Sequence, residues 1–256
     1  MNRYSPSDMS FMRTPTRTVL RSLRVLALAL LLSCDASSES QEMNIDAQAA
    51  YPGGVGIAQY AKVIRRPDEA DTSVLVPIRR AQLEIRDTDG FLVASMFTNE
   101  YGEYDYPDSD KELQITIRAF SRGPRVNIGV YQRVEDATVW SVSGNVGTTD
   151  TLIVTEPYAA GAFNVIELAN QVGDALEGVV NDAPAPELRV IWSDSSFPAC
   201  GSCFYYSAYR LELTGAAGDV DAHDDDVVLH ELAHYIEGAY GDYGTPGGSH
   251  EVAQQV

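Results

Sequence analysis

The sequence predicts an α+β chain: an antiparallel β-region comes first, and a mixed region closing on a helix follows it. Three observations carry this reading. Residues 52–155 alternate apolar and polar side chains in short runs broken by turn residues, the period of half-buried strands. From about residue 160 the apolar spacing lengthens to that of a helix. Residues 224–237 (DDDVVLHELAHYIE) then set an acidic start before an apolar helical stripe.

In the first region, residues 81–86 (AQLEIR) and 91–96 (FLVASM) flank the turn signal 87–90 (DTDG). Residues 114–118 (QITIR) and 126–130 (VNIGV) alternate again. Residues 98–106 (TNEYGEYDY) match the pattern Thr-(Asn/Asp)-x-x-Gly-x-Tyr-x-(Phe/Tyr). That pattern resembles the transthyretin-like or carboxypeptidase-regulatory-like modules of exported proteins. The resemblance implies a β-sandwich over residues 52–157 that serves as a spacer or binding surface. Its tyrosines are read as packing residues in preference to a ligand platform.

In the second region, residues 162–180 carry Phe163, Ile166, Leu168, Ala169, Val172 and Leu176 at near-helical spacing, and residues 181–186 (NDAPAP) end that helix. Residues 188–192 (LRVIW) form a short strand and residues 205–213 (YYSAYRLEL) a second. Asp224, Asp225 and Asp226 suit an N-cap and first turn, where carboxylates face the positive end of the helix dipole. Gly238 suits a left-handed stop. The order is helix, strand, strand, helix.

The last helix contains His230-Glu231-Leu232-Ala233-His234, an H-E-x-x-H pattern. Histidines four apart project from one helix face, so both imidazoles can reach a single Zn²⁺, and the intervening acid can polarise the metal's water. The bland alternative is a core helix with two incidental histidines. It leaves polar rings to be buried without a partner, which is costly. The pattern resembles the zincin metallopeptidases. That implies Zn²⁺ as cofactor, His230 and His234 as ligands, Glu231 as general base, and a peptide or protein substrate lying along the strand at 205–213.

The third ligand decides the subclass. The metzincin pattern fails, because Glu237 and Tyr240 stand where it needs Gly and His. Glu237 shares the histidines' face but rises about 7–8 Å above their midpoint on a straight helix, a strained distance for a ligand. The gluzincin pattern takes a later glutamate, for which Glu251, and more weakly His250, is the candidate. Residues 224–237 followed by Gly247-Gly248-Ser249-His250 resemble exported bacterial gluzincin-like peptidases. In those the third glutamate lies further downstream, in a Glu-Gly-Trp segment that this sequence does not contain. The expectation is therefore an incomplete zincin-like domain over residues 158–256, truncated at its C-terminus, with the third ligand at Glu251 or past Val256. The resemblance covers roughly residues 160–250.

Arg13, Arg17, Arg21 and Arg24 precede the apolar run 25–32, which is too short to span a bilayer and reads as a secretory signal. Either Met9 or Met12 would serve as an alternative start. Leu31-Leu32-Ser33-Cys34 resembles a bacterial lipobox, implying lipidation of Cys34 and an exported, membrane-anchored lipoprotein. An ordinary cleaved signal that happens to contain a cysteine is the alternative. Residues 1–34 are thus a signal segment and 35–51 a Ser/Glu/Gln/Ala-rich tether.

Once Cys34 carries lipid, Cys200 and Cys203 remain as a pair, expected as a disulfide in an oxidising compartment. A redox dithiol or half of a zinc site is disfavoured, since no second C-x-x-C exists. A net charge of −19, from 37 acidic and 18 basic residues, argues against a nucleic-acid partner. Asp219, Asp221, Asp224, Asp225 and Asp226 read as capping plus a solvated turn, with a Ca²⁺ site as the alternative. The rivals to a membrane-anchored peptidase are a non-catalytic surface or adhesion lipoprotein with a truncated or decayed peptidase half, and a structural zinc protein in which the metal only holds the fold.

Overall fold

Alternation along each strand sorts its side chains onto two faces, and two sheets collect the apolar ones inward. The computed structural model describes residues 51–65, 70–146, 150–180, 185–216 and 220–241. The signal segment, the tether, Cys34, Asp219, His250 and Glu251 lie outside the described residues.

The smaller sheet joins β1 (Gly54–Ile64), β2 (Thr72–Pro77), β5 (Glu103–Tyr106) and β9 (Thr151–Val154). Here β1 is central between β2 and β5, both antiparallel to it, and β9 pairs with β1 in parallel. The larger sheet contains β3 (Ala81–Asp87), β4 (Leu92–Phe97), β6 (Leu113–Arg122), β7 (Asn127–Tyr131), β8 (Ser141–Asn145), β10 (Leu188–Ile191), β11 (Cys203–Tyr205) and β12 (Arg210–Glu212). Its order is β11-β12-β10-β7-β6-β3-β4, with β8 on β6. Along β6, Leu113, Ile115, Ile117, Ala119 and Ser121 are buried and their neighbours are not. Ala58 and Tyr60 of β1 and Leu83 and Ile85 of β3 join the same continuous core.

The result is a β-rich α+β fold, but its sheets are mixed where antiparallel pairing was expected. Parallel pairs link β1 with β9, β7 with β10, and β10 with β12. The division read at residue 157 does not coincide with a break in the sheet, because β10 and β12 extend the one that holds β6 and β7. The physical reason is burial: Leu188 and Val190 of β10 and Leu211 of β12 are fully enclosed in the core shared with β7. All described residues fall in one compact unit.

The turn and signature residues are structural. Asp87 Oδ1 accepts the backbone N–H of Asp89 and Phe91, and Gly90 takes a φ of 84° that a side chain would resist. Thr98 is buried; its hydroxyl donates to the Ile78 carbonyl and accepts from Ala81 N–H. Asn99 Oδ1 caps the N–H groups of Tyr101 and Glu103, while a Cβ at Gly102 would meet the Ala58 carbonyl at 2.5 Å. Tyr104 packs in the core, Tyr106 donates to Asp150, and Tyr101 is exposed.

Helix α1 (Pro157–Leu176) begins before residue 162, because Glu156 caps the N–H groups of Tyr158 and Ala159 and proline stands at the first helical position. It ends before residues 181–186, where Glu177 turns out of the helix and Gly178 adopts a φ of 79°. Its residues from Ala159 to Asn170 are buried, since α1 packs on β1, β6, β7 and the final helix. Trp192 is fully buried beside Gly161, where a Cβ would touch its indole at 3.1 Å. Among the described residues no helix is long and apolar enough to cross a membrane.

The expected strand at 205–213 is broken. Tyr206–Ala208 form a 3₁₀ turn between β11 and β12, and Tyr209 reverses the chain at a φ of 44°. Tyr206 and Tyr209, three apart, both pack against the core, a spacing that suits a 3₁₀ turn and not a strand.

Candidate metal centre

Helix α2 (Asp225–Tyr240) presents the H-E-x-x-H residues, and its start is fixed by charge and hydrogen bonding. Asp224 is the N-cap, accepting from the N–H of Asp226 and Val227. Asp225 pairs with Lys62 Nζ at 2.6 Å and accepts from Asn164 Nδ2 at 3.0 Å, which ties the helix to β1 and α1. Asp221 accepts from Ser202 Oγ. These three carboxylates therefore act as cap and anchors, and Asp226 faces solvent.

The helix runs past the expected stop. Gly238 is helical and the chain leaves α2 at Gly241 with ordinary extended backbone. What Gly238 provides is room: a Cβ there would lie 3.0 Å from the Tyr206 ring, and its carbonyl accepts from the Tyr209 hydroxyl. Val228, Leu232 and Tyr235 form the buried stripe. Tyr235 donates to the Pro186 carbonyl and Tyr240 to the Arg125 carbonyl, so both hydroxyls serve the fold.

His230 and His234 stand together, with ring centroids 4.9 Å apart and planes at 90°. His230 is exposed and His234 half-buried, so both rings border solvent that could deliver an ion. Glu231 is 3% exposed, and its carboxyl meets the Phe204 backbone N–H of β11. Burial pushes its carboxyl up to about 7; the nearby Asp221 charge adds to this and the Phe204 backbone N–H opposes it. Its Oε2 is enclosed without a hydrogen-bond partner among the described residues. A buried carboxylate oxygen left without a partner is costly.

His230 and His234 supply two of the three or more protein donors that a zinc ion takes. Two imidazoles a helical turn apart are suited to Zn²⁺, and a carboxyl poised near neutrality stands between them in sequence. No group of three His, Cys, Asp or Glu side chains converges on one point among the described residues. The carboxylate of Glu237 lies on the Nδ1 side of His234, at 3.8 Å, where it accepts from the Tyr206 hydroxyl.

Sequence reasoning missed Tyr206. Its hydroxyl reaches His234 Nδ1 at 3.2 Å from a turn 28 residues away in the chain, which no local spacing would reveal. The Cys200–Cys203 disulfide is present, with Cα atoms 6.2 Å apart, at the entrance to β11. A bridge of sequence separation 3 closes a very short loop, so reducing it is expected to cost about 2 kcal/mol or less of stability. Urea unfolding with and without reductant measures this, and intact mass verifies the missing hydrogens. No protein-family model, curated protein or solved structure matches the chain.

Proposed function

We propose that the chain is a zinc-dependent peptide hydrolase of zincin type, carried on an exported lipoprotein. The observation that carries this reading is the presence on α2 of two imidazoles 4.9 Å apart beside an enclosed Glu231 carboxylate whose Oε2 has no hydrogen-bond partner among the described residues. His230 and His234 would hold Zn²⁺ through neutral ring nitrogens, with Glu251 as the candidate third donor. The ion, when bound, polarises a scissile carbonyl and acidifies water.

Glu231 does the proton work. As carboxylate it takes a proton from the attacking water, and as acid it returns that proton to the leaving amine. A carboxyl held at about 7 is a far stronger base than an ordinary one, yet is still ionised in part at neutral pH. The burial that raises it also keeps bulk water from competing.

Export follows from the signal-like residues 1–34 and from the lipobox-like Cys34, and the Cys200–Cys203 bridge is what an oxidising compartment favours. Metal analysis tests the central claim. The purified chain is expected to hold about one zinc, and a His230→Ala/His234→Ala double variant to lose it. Equal zinc content in both proteins would end the metallopeptidase reading and leave a non-catalytic surface lipoprotein.

A further inference from the structure

The Tyr206 hydroxyl stands between two groups that both want its attention. It donates to Glu237 Oε2 at 3.0 Å and lies 3.2 Å from His234 Nδ1. A carboxylate can only accept, and it is the stronger acceptor of the two. A phenol has one proton, so committing it to Glu237 leaves only lone pairs facing His234. The contact with Nδ1 is then a hydrogen bond only when Nδ1 carries the hydrogen.

Resting on the zinc reading above, we propose that Tyr206 and Glu237 form a positioning relay, His234 Nδ1–H to Tyr206 Oη–H to Glu237, that fixes the ring tautomer with Nε2 bare. A neutral histidine with its hydrogen on Nδ1 carries its lone pair on Nε2, the form in which that nitrogen can bind a cation. The Glu237 carboxylate, 3.8 Å from Nδ1, adds an electrostatic preference for hydrogen at that nitrogen.

The relay is built into the fold. Tyr206 begins the 3₁₀ turn that leaves β11, its ring meets Phe204 edge-on at 5.0 Å, and Gly238 gives it room against α2. Glu237 follows His234 by three residues, which sets both on one helix face. Glu237 therefore supports a ligand and is not one itself.

Tyr206→Phe deletes the hydroxyl and keeps the ring. Two measurements on the full chain decide the matter. In metal-free, ¹⁵N-histidine-labelled protein, the His234 ring is expected as the Nδ1–H form, shifting towards Nε2–H in Tyr206→Phe. Zn²⁺ affinity by chelator competition is expected to weaken about 10- to 100-fold. Glu237→Gln, which keeps an acceptor but loses the charge, is expected to move both readouts the same way by less, and stands in should Tyr206→Phe misfold. Unchanged ring resonances in both variants overturn the relay, even where zinc binds normally. A wild-type chain that takes up no Zn²⁺ sinks the hydrolase reading alone, because the metal-free ring spectra still decide on the relay.

Discussion

Glu231→Gln is expected to abolish peptide hydrolysis, lowering kcat by about 10²- to 10⁴-fold, while zinc content stays at the wild-type level. The amide is nearly isosteric, so geometry is kept and only proton transfer is lost. The same substitution is expected to change stability in a pH-dependent way. Burial lifts the Glu231 carboxyl from 4.5 in the ordinary case to about 7 in the folded chain. Between those values the folded chain holds a proton that the unfolded chain has released, so stability falls as pH rises through the window. Below it the residue carries no penalty, and above it the penalty is complete. Allowing for solvent screening, that penalty is on the order of 2 kcal/mol. Glutamine never ionises. Under chelator, Glu231→Gln should thus match the wild type near pH 4 and exceed its stability at pH 8. Urea unfolding at the two pH values measures the difference; a gap that stays constant between them would show that the carboxyl is not raised, and undiminished hydrolysis would remove Glu231 from the reaction.

Asn164→Ala is expected to cost about 2–4 kcal/mol, read from the urea midpoint. Asn164 is buried in α1 and joins three elements. Its Oδ1 accepts from the Tyr60 hydroxyl at 3.1 Å, and its Nδ2 donates to the Ala222 carbonyl and to Asp225 Oδ1, each at 3.0 Å. Truncation strands a fully buried phenol and a buried carbonyl, and it also loosens the acidic start of α2 on which the imidazole pair is mounted. Adding Tyr60→Phe should recover part of the loss, since removing both partners of a buried bond is cheaper than removing one. A loss below about 0.5 kcal/mol, the scale of a neutral surface change, would mean those bonds do not hold.

What could be read from the chain in advance was whatever is encoded locally. The DTDG turn, the strands around it, the helical stripe of α2 and the pairing of Cys200 with Cys203 all depend on residues within a few positions of each other. Boundaries slipped where a competing local signal was overlooked, as with Glu156-Pro157 opening α1 and Gly178 closing it. At Gly238 the sequence rule assumed a chain reversal where the fold required space for Tyr206. The parallel pairings were not legible, because alternation states that a strand is half-buried and is silent about its neighbour. Tyr206 and the enclosure of Glu231 are likewise products of β11 meeting α2, a contact that exists only once the sheet is assembled.

The pairing of β7 with β10 has a consequence for how the molecule is made. Ile128 sits opposite Leu188, and Ile57 of β1 opposite Thr151 of β9, so both parallel ladders wait for distant stretches of polypeptide to arrive. Nascent chain emerging from a ribosome or a translocation pore could form its early hairpins at once, yet would leave their hydrophobic faces open until the last third followed. Acquisition of the native state should accordingly be slow and all-or-none. Two polypeptides produced by cutting between β9 and α1 would be expected to stay soluble only when supplied together.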